Sequence, residues 1–444
     1  MNEGRGLTFR VEWEDAGSVR APELRATWSR LEMWVQSKCV TTVEETDSGV
    51  VRRSIFVPLY PLAEWAAYNW WYLRTHSRPA ALPSRQWSYR HLSRFRSSRF
   101  EWLRHHNFRA VGEGFPWPDL TIVPEGEFSQ VVWSSSDQPS GGLRYLASGG
   151  SLISTLNLES VLTDLVESTL TRLDEFGVGE TQLHKEWRAI QSLDSEEVAF
   201  CESAARLGLD PFDVDEAISD SLEAAGDKVP INLLSDFLNA VDPKRIREGM
   251  AWIGRASREL ALLTDPSAAE YSRMENAVRE TAMPRAGESP WTIGYQQARR
   301  ARETLGLGDA ESFPIQALVA ATTRSGPSGQ VDGIGVGIKG VKLVLTRRSS
   351  QPDVRFASAR ALWHALSGQG GAPFLLTHAR TYRQKIERAF AAELLAPASG
   401  IEGHLDESSS PSDAHVIDSI ARTYGVGPLV VQHQIENNLM GAPV

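Results

Sequence analysis

Residues 354–397 read VRFASARALWHALSGQGGAPFLLTHARTYRQKIERAFAAELLAP. Both ends of this stretch, VRFASARALWHALSG and TYRQKIERAFAAELLAP, space their apolar side chains three and four apart, which predicts two helices in succession. Upstream, GIGVGI and VKLVLT alternate as two short strands, preceded by helices in GYQQARRARETLGL and PIQALVAAT. Downstream, DAHVIDSIARTYGVGPLVVQHQIENNL gives two more helices. The polar, proline-containing TAMPRAGESP marks the boundary that opens this region, so residues 286–444 are expected to fold as one domain, helical with a small sheet.

Several of these segments, in this order, resemble the ImmA/IrrE family of metallopeptidase-like domains. Members carry a strand, a helix with R-F-x-x-x-H-E-x-x-H, a second helix with a carboxylate ligand and an F-A-A-E-L-L-x-P ending, and two C-terminal helices. Here Arg355-Phe356 opens the first helix, and Phe390 to Leu395 followed by Pro397 closes the second. PWTIGYQQARRARETLGL is similar to the family's lead-in helix and YGVGPLVVQHQIEN to its last pair. The likeness spans residues 290–440 and implies a zincin-like, gluzincin-type scaffold.

In that family two histidines at i and i+4 grip one zinc ion. The glutamate between them acts as general base on bound water, and a carboxylate from the next helix completes the site. In register with Arg355-Phe356, the first ligand position holds Arg360, the base position Ala361 and the second ligand position His364. Counting back from Phe390, the carboxylate position falls near Gln384, with Glu387 one turn away. A guanidinium stays protonated and offers no lone pair to a metal, and Ala361 cannot shuttle a proton. The resemblance therefore implies a pseudo-metallopeptidase with no catalytic residues at these positions and no zinc. His364 reads either as a hydrogen-bonded histidine in a former cleft or as part of a rearranged site with Glu387 and His378. Arg360 is expected to pair with Glu387 or Glu393, replacing the cross-link that zinc would supply.

The N-terminal third is built differently: ten of the fourteen tryptophans lie between Trp13 and Trp133. Strand patterns in LTFRVEW, RLEMWVQSKCVTTVEE and VVRRSIFV, with Asp47-Ser48-Gly49 as a turn, precede a helix beginning near Pro61 in YPLAEWAAYNWWYLRTH. Further strands in DLTIVPEG, FSQVVWSSS and GLRYLASGG lead to an amphipathic helix, LESVLTDLVESTLTRLDEFG. Residues 1–178 are thus expected to form a Trp-rich α+β domain, and residues 179–285, where helical spacing dominates, an all-α middle domain, giving an α+β chain overall. SAARLGLDPFDVDEAI has a helix-turn-helix outline, but Asp213, Asp215, Glu216 and Asp220 would face DNA phosphates, so helical packing is the reading taken. The spacing of the last two helices, with Gly425 near the turn, is likewise read as packing on the core.

Residues 85–109, RQWSYRHLSRFRSSRFEWLRHHNFR, set seven Arg and three His against the single acid Glu101 and interleave them with aromatics. Arginines that reach phosphates and aromatics that stack on bases are what a nucleic-acid groove uses, which makes Arg90, Arg94, Arg96, Arg99 and Arg104 the candidate binding residues. The other reading puts the aromatics in the core and the arginines on a solvated face.

A net charge of −10 opposes nonspecific nucleic-acid binding over the whole surface of these 444 residues. No run of apolar residues is long enough to span a membrane and the start lacks a signal-peptide pattern, so a prokaryotic, cytoplasmic protein is expected. Cys39 and Cys201 are too few for a disulfide framework. Active family members cut regulatory proteins, so the resemblance implies a regulatory or sensing role, in stress response, phage defence or mobile-element control, through a bound protein partner. The alternatives are a zinc-dependent endopeptidase with rearranged ligands and a DNA-associated transcriptional regulator.

Overall fold

The computed structural model describes residues 6–16, 19–77, 98–136, 138–266, 269–280, 289–326, 331–346, 350–368, 371–405 and 413–439. The chain is α+β and divides into two compact units, Met1–Val214 and Asp215–Val444. The helices of the expected middle domain are shared between them: those up to Arg206 lie in the first unit and those from Glu216 in the second.

In the first unit, β1 (Leu7–Trp13) pairs antiparallel with β2 (Trp28–Val35) after a short helix, α1 (Pro22–Ala26). The other side of β2 takes β3 (Lys38–Cys39) and β6 (Ile55–Pro58). Alternation along β2 turns Leu31, Met33 and Val35 inward, as a half-buried strand requires. A second sheet runs β5 (Val51–Arg52), β4 (Val43–Glu45), β9 (Leu143–Tyr145), and a third β10 (Gly149–Ser154), β8 (Phe128–Ser134), β7 (Asp119–Pro124). The helix expected from Pro61 is two, α2 (Tyr60–Tyr68) and α3 (Trp70–Thr75), because Asn69 at the break folds its amide back onto the Trp65 carbonyl at 2.7 Å. Then come α4 (Ser98–His106), α5 (Thr155–Glu175), α6 (Gln182–Ser192) and α7 (Ser195–Arg206), the last started by a capping box at Asp194 and Glu197. One core unites these elements, and Trp65, Trp70, Trp71, Trp117, Trp133 and Trp187 are buried in it.

The second unit opens with α8 (Glu216–Lys228), α9 (Ile231–Leu238), α10 (Ile246–Leu262), α11 (Ala269–Arg279) and α12 (Pro290–Thr304). A four-stranded sheet follows, in the order β11 (Val319–Thr323), β13 (Val341–Leu345), β12 (Val331–Gly337), β14 (Phe374–Thr377). Here the structure departs from the sequence pattern. The helix predicted in PIQALVAAT is one turn, α13 (Ile315–Leu318), after which Val319 to Thr323 run parallel to β13, and FLLT forms an edge strand that periodicity does not reveal. Neither strand is long or alternating enough to separate from a helix by period alone.

One long helix, α14 (Gln351–Ser367), covers this sheet, and a second, α15 (Tyr382–Leu395), packs against α14. Each begins with a capping box, Ser350 with Asp353 and Thr381 with Gln384. Helix α12 packs along α15 so closely that a Cβ on Gly294 would lie 2.6 Å from the Ile386 carbonyl oxygen, which only glycine allows. After α16 (Ala398–Glu402), helices α17 (Ala414–Tyr424) and α18 (Pro428–Gln434) are joined at Gly425, left-handed at φ 64. They pack on the unit's core: Tyr424 donates to the Asp309 carbonyl at 3.0 Å, and Gln434 to Glu393 at 2.8 Å.

Candidate functional site

Helices α14 and α15 bring together the positions singled out in the sequence. Arg360 and His364, one turn apart on α14, both point at Glu387 of α15, and all three are buried. Arg360 donates to Glu387 Oε1 from Nε at 2.8 Å and from Nη2 at 2.5 Å, to Asp332 Oδ2 from Nη1 at 2.8 Å, and to the Thr377 carbonyl at 2.6 Å. Its fork thus ties α14 to α15, to β12 and to the end of β14. Of the two partners expected for Arg360, Glu387 is the one engaged. Glu393 instead accepts from Arg299 and Gln434 and from the amide of Ala398.

His364 bridges in the other direction. Arg383 Nη2 lies 2.8 Å from Nδ1, and a guanidinium can only donate, so Nδ1 accepts and the ring proton sits on Nε2, bonded to Glu387 Oε2. The ring stacks on Phe374 at 4.8 Å and meets Trp363 edge-on. At the far side, Asp332 Oδ1 is 2.5 Å from Nε2 of His378, whose side chain is 47% exposed. The result is one chain of hydrogen bonds, Arg383 to His364, Glu387, Arg360, Asp332 and His378. Its middle is buried and both ends are at the surface.

The electrostatics follow from this order. Burial alone would push Glu387 up, but Arg360 and His364 outweigh it and hold the carboxyl down at about 2. Burial opposes the charge on Arg360 too, yet Glu387 and Asp332 raise its pKa above the ordinary guanidinium value. Burial lowers the pKa of His364, against the pull of Glu387, which agrees with a neutral ring. Asp332 is lowered because the bonds from His378 and the charge of Arg360 overcome its burial. Arg388, which donates to the carbonyls of Thr377 and Ala379 on either side of His378, is lowered by burial and by Arg360 to about 10 and stays charged near neutrality.

These residues do not fit a zinc ion. Arg360 fills the space beside Glu387 with a cation, and both ring nitrogens of His364 are already bonded. Gln384 closes the cap of α15 by accepting from Thr381, and its amide donates to Thr377 Oγ1 and Asp236. Ala361 is buried with no group to move a proton. Among the described residues no group of three or more His, Cys, Asp and Glu is arranged to hold a metal. Asp332, Arg383, Arg388 and Asp236 join the site without a signal in the sequence. Arg383 and Arg388 lie on the second motif helix but at positions the motif does not specify, Asp236 comes from a segment with no motif, and Asp332 is marked only by its place at the head of the GIGVGI strand.

Of the Arg-rich segment, Arg90, Arg94 and Arg96 lie outside the described residues, as does the side chain of Arg99. Arg104 is exposed on α4, and its carbonyl accepts from Trp65 at 3.1 Å. The same helix turns Trp102 and His106 inward, and Phe108 follows them into the core. His106 stacks on Trp102 at 4.1 Å, bonds the Ile122 carbonyl at 3.0 Å and faces His76 at 3.4 Å. Burial holds His106 well below the ordinary imidazole value and His76 down at about 3.

No protein-family model matches the chain, and neither a curated protein nor a solved structure is found similar to it. No helix among the described residues is long and apolar enough to cross a membrane.

Proposed function

We propose that the chain is a non-catalytic relative of the ImmA/IrrE metallopeptidases, a regulatory or sensing protein whose C-terminal unit holds a protein partner without cutting it. The observation that carries this reading is Arg360, which bonds Glu387, Asp332 and the Thr377 carbonyl from the position where the family places its first zinc ligand. Hydrolysis at such a site needs a metal-activated water and a base to take its proton. A guanidinium at the metal position and alanine at the base position supply neither. The frame has a long helix on a mixed sheet, a second packed against it, and a polar chain that reaches the surface at both ends, and binding can outlast chemistry on such a frame. Stress response, phage defence and mobile-element control are the settings the resemblance suggests.

Elemental analysis of the purified, untagged chain tests this. Sub-stoichiometric zinc, unchanged by His364→Ala, is the expected result. Stoichiometric zinc lost with that substitution would overturn this reading and revive that of an endopeptidase with rearranged ligands.

A further inference from the structure

The outer end of the hydrogen-bonded chain, Arg383, is an exposed guanidinium whose bond is to an uncharged ring nitrogen of His364. Among the described residues it takes part in no ion pair, whereas Arg360 is shared between two carboxylates and Arg388 is bonded to two backbone carbonyls. The surrounding segment is cationic: Arg380, Arg383, Lys385 and Arg388 stand against one acid, Glu387, and that acid is fully buried and turned away. In a chain of net charge −10 this is a local reversal of sign. A planar fork of donors held by a neutral acceptor is poised for exchange, because a carboxylate makes shorter, stronger and bidentate bonds to it.

We infer that Arg383 is the docking point for a carboxylate from an acidic peptide segment, and that such a segment is how the partner is recognised. This rests on the reading of the cleft as one that holds a protein partner. An acidic peptide fits better than a nucleic acid. Phosphate backbones are bound by rows of cations, whereas here one exposed fork lies near the half-buried carboxylate of Asp236, which would repel a continuous polyanion.

Fluorescence anisotropy of a short fluorescein-labelled peptide that carries one Glu-Glu pair in a Gly-Ser frame, titrated with the full chain, tests the inference. Binding is expected to saturate, to weaken with added salt, and to drop by about tenfold or more in Arg383→Gln, which keeps a donor for His364 while removing the charge. Arg300→Gln, on the exposed face of α12, should leave it unchanged, and thermal melting confirms that both variants fold. Absence of binding to the wild type, equal binding by Arg383→Gln, or preference for an oligonucleotide that is lost with the same substitution would each overturn it. A chain that is zinc-free but does not bind the peptide fails this inference alone, whereas a zinc-loaded chain fails the proposed function.

Discussion

Arg360 is buried with three acceptors around it, and the cost of deleting it comes from what it leaves behind. Without it the fully buried Glu387 would keep only the neutral His364 and the charge of Arg388, and Asp332 only its bond with His378. Removing one partner of a buried ion pair typically costs about 3–5 kcal/mol. Urea unfolding of Arg360→Ala should show a loss of that order. Arg360→Lys should recover only part of it, since an ammonium cannot reach Glu387, Asp332 and the Thr377 carbonyl together. A lysine variant as stable as the wild type would mean that charge alone, and not the fork, closes the site. The pairing with Glu387 is readable from spacing on two helices, and His378 is singled out in the sequence beside His364 and Glu387, but the bond that Asp332 and His378 share is not readable. They reach the cluster through a β-strand and a turn whose positions depend on tertiary packing.

At the level of elements, the capped helices are the legible part. Ser350 with Asp353, Thr381 with Gln384 and Asp194 with Glu197 set helix starts by local chemistry, while β11 and β14 depend on partners distant in the chain. Gly294 is equally silent in the sequence, because what makes glycine necessary there is the backbone of α15. An added methyl would lie 2.8 Å from both the Ala389 Cβ and the Phe390 nitrogen, so Gly294→Ala should destabilise by about 1–3 kcal/mol through overpacking. Gly254, exposed in the middle of α10, would meet nothing within 4 Å of an added methyl, and Gly254→Ala should stabilise by about 0.5–1 kcal/mol. A denaturant midpoint of Gly294→Ala at or above that of the wild type would contradict the close approach of α12 to α15.

At the scale of the molecule, both units should lose stability in mild acid through buried neutral histidines, His364 being one in the second unit, and the second unit should add a lower window. His76 and His106 are kept neutral in the first unit, with His76 lowered from 6.5 to about 3, so they bind protons more readily when unfolded. Their effect is absent above about pH 6.5, and stability falls below it at up to about 1.4 kcal/mol per pH unit per histidine. Glu387 in the second unit is lowered from 4.5 to about 2, so its contribution is complete above pH 4.5 and is lost between there and 2. Urea midpoints read by tryptophan fluorescence, which reports mostly on the first unit, should therefore fall between pH ~7.5 and ~5.5. A flat midpoint across that range would show the two histidines to be solvated. The central claim is that a guanidinium, not a metal, ties α14 to α15, and it is read most directly by thermal melting with and without EDTA. The wild type should melt at the same temperature in both, with Arg360→Ala melting lower whether or not chelator is present. A wild type that loses stability in EDTA, beside an Arg360→Ala variant that does not, would contradict it.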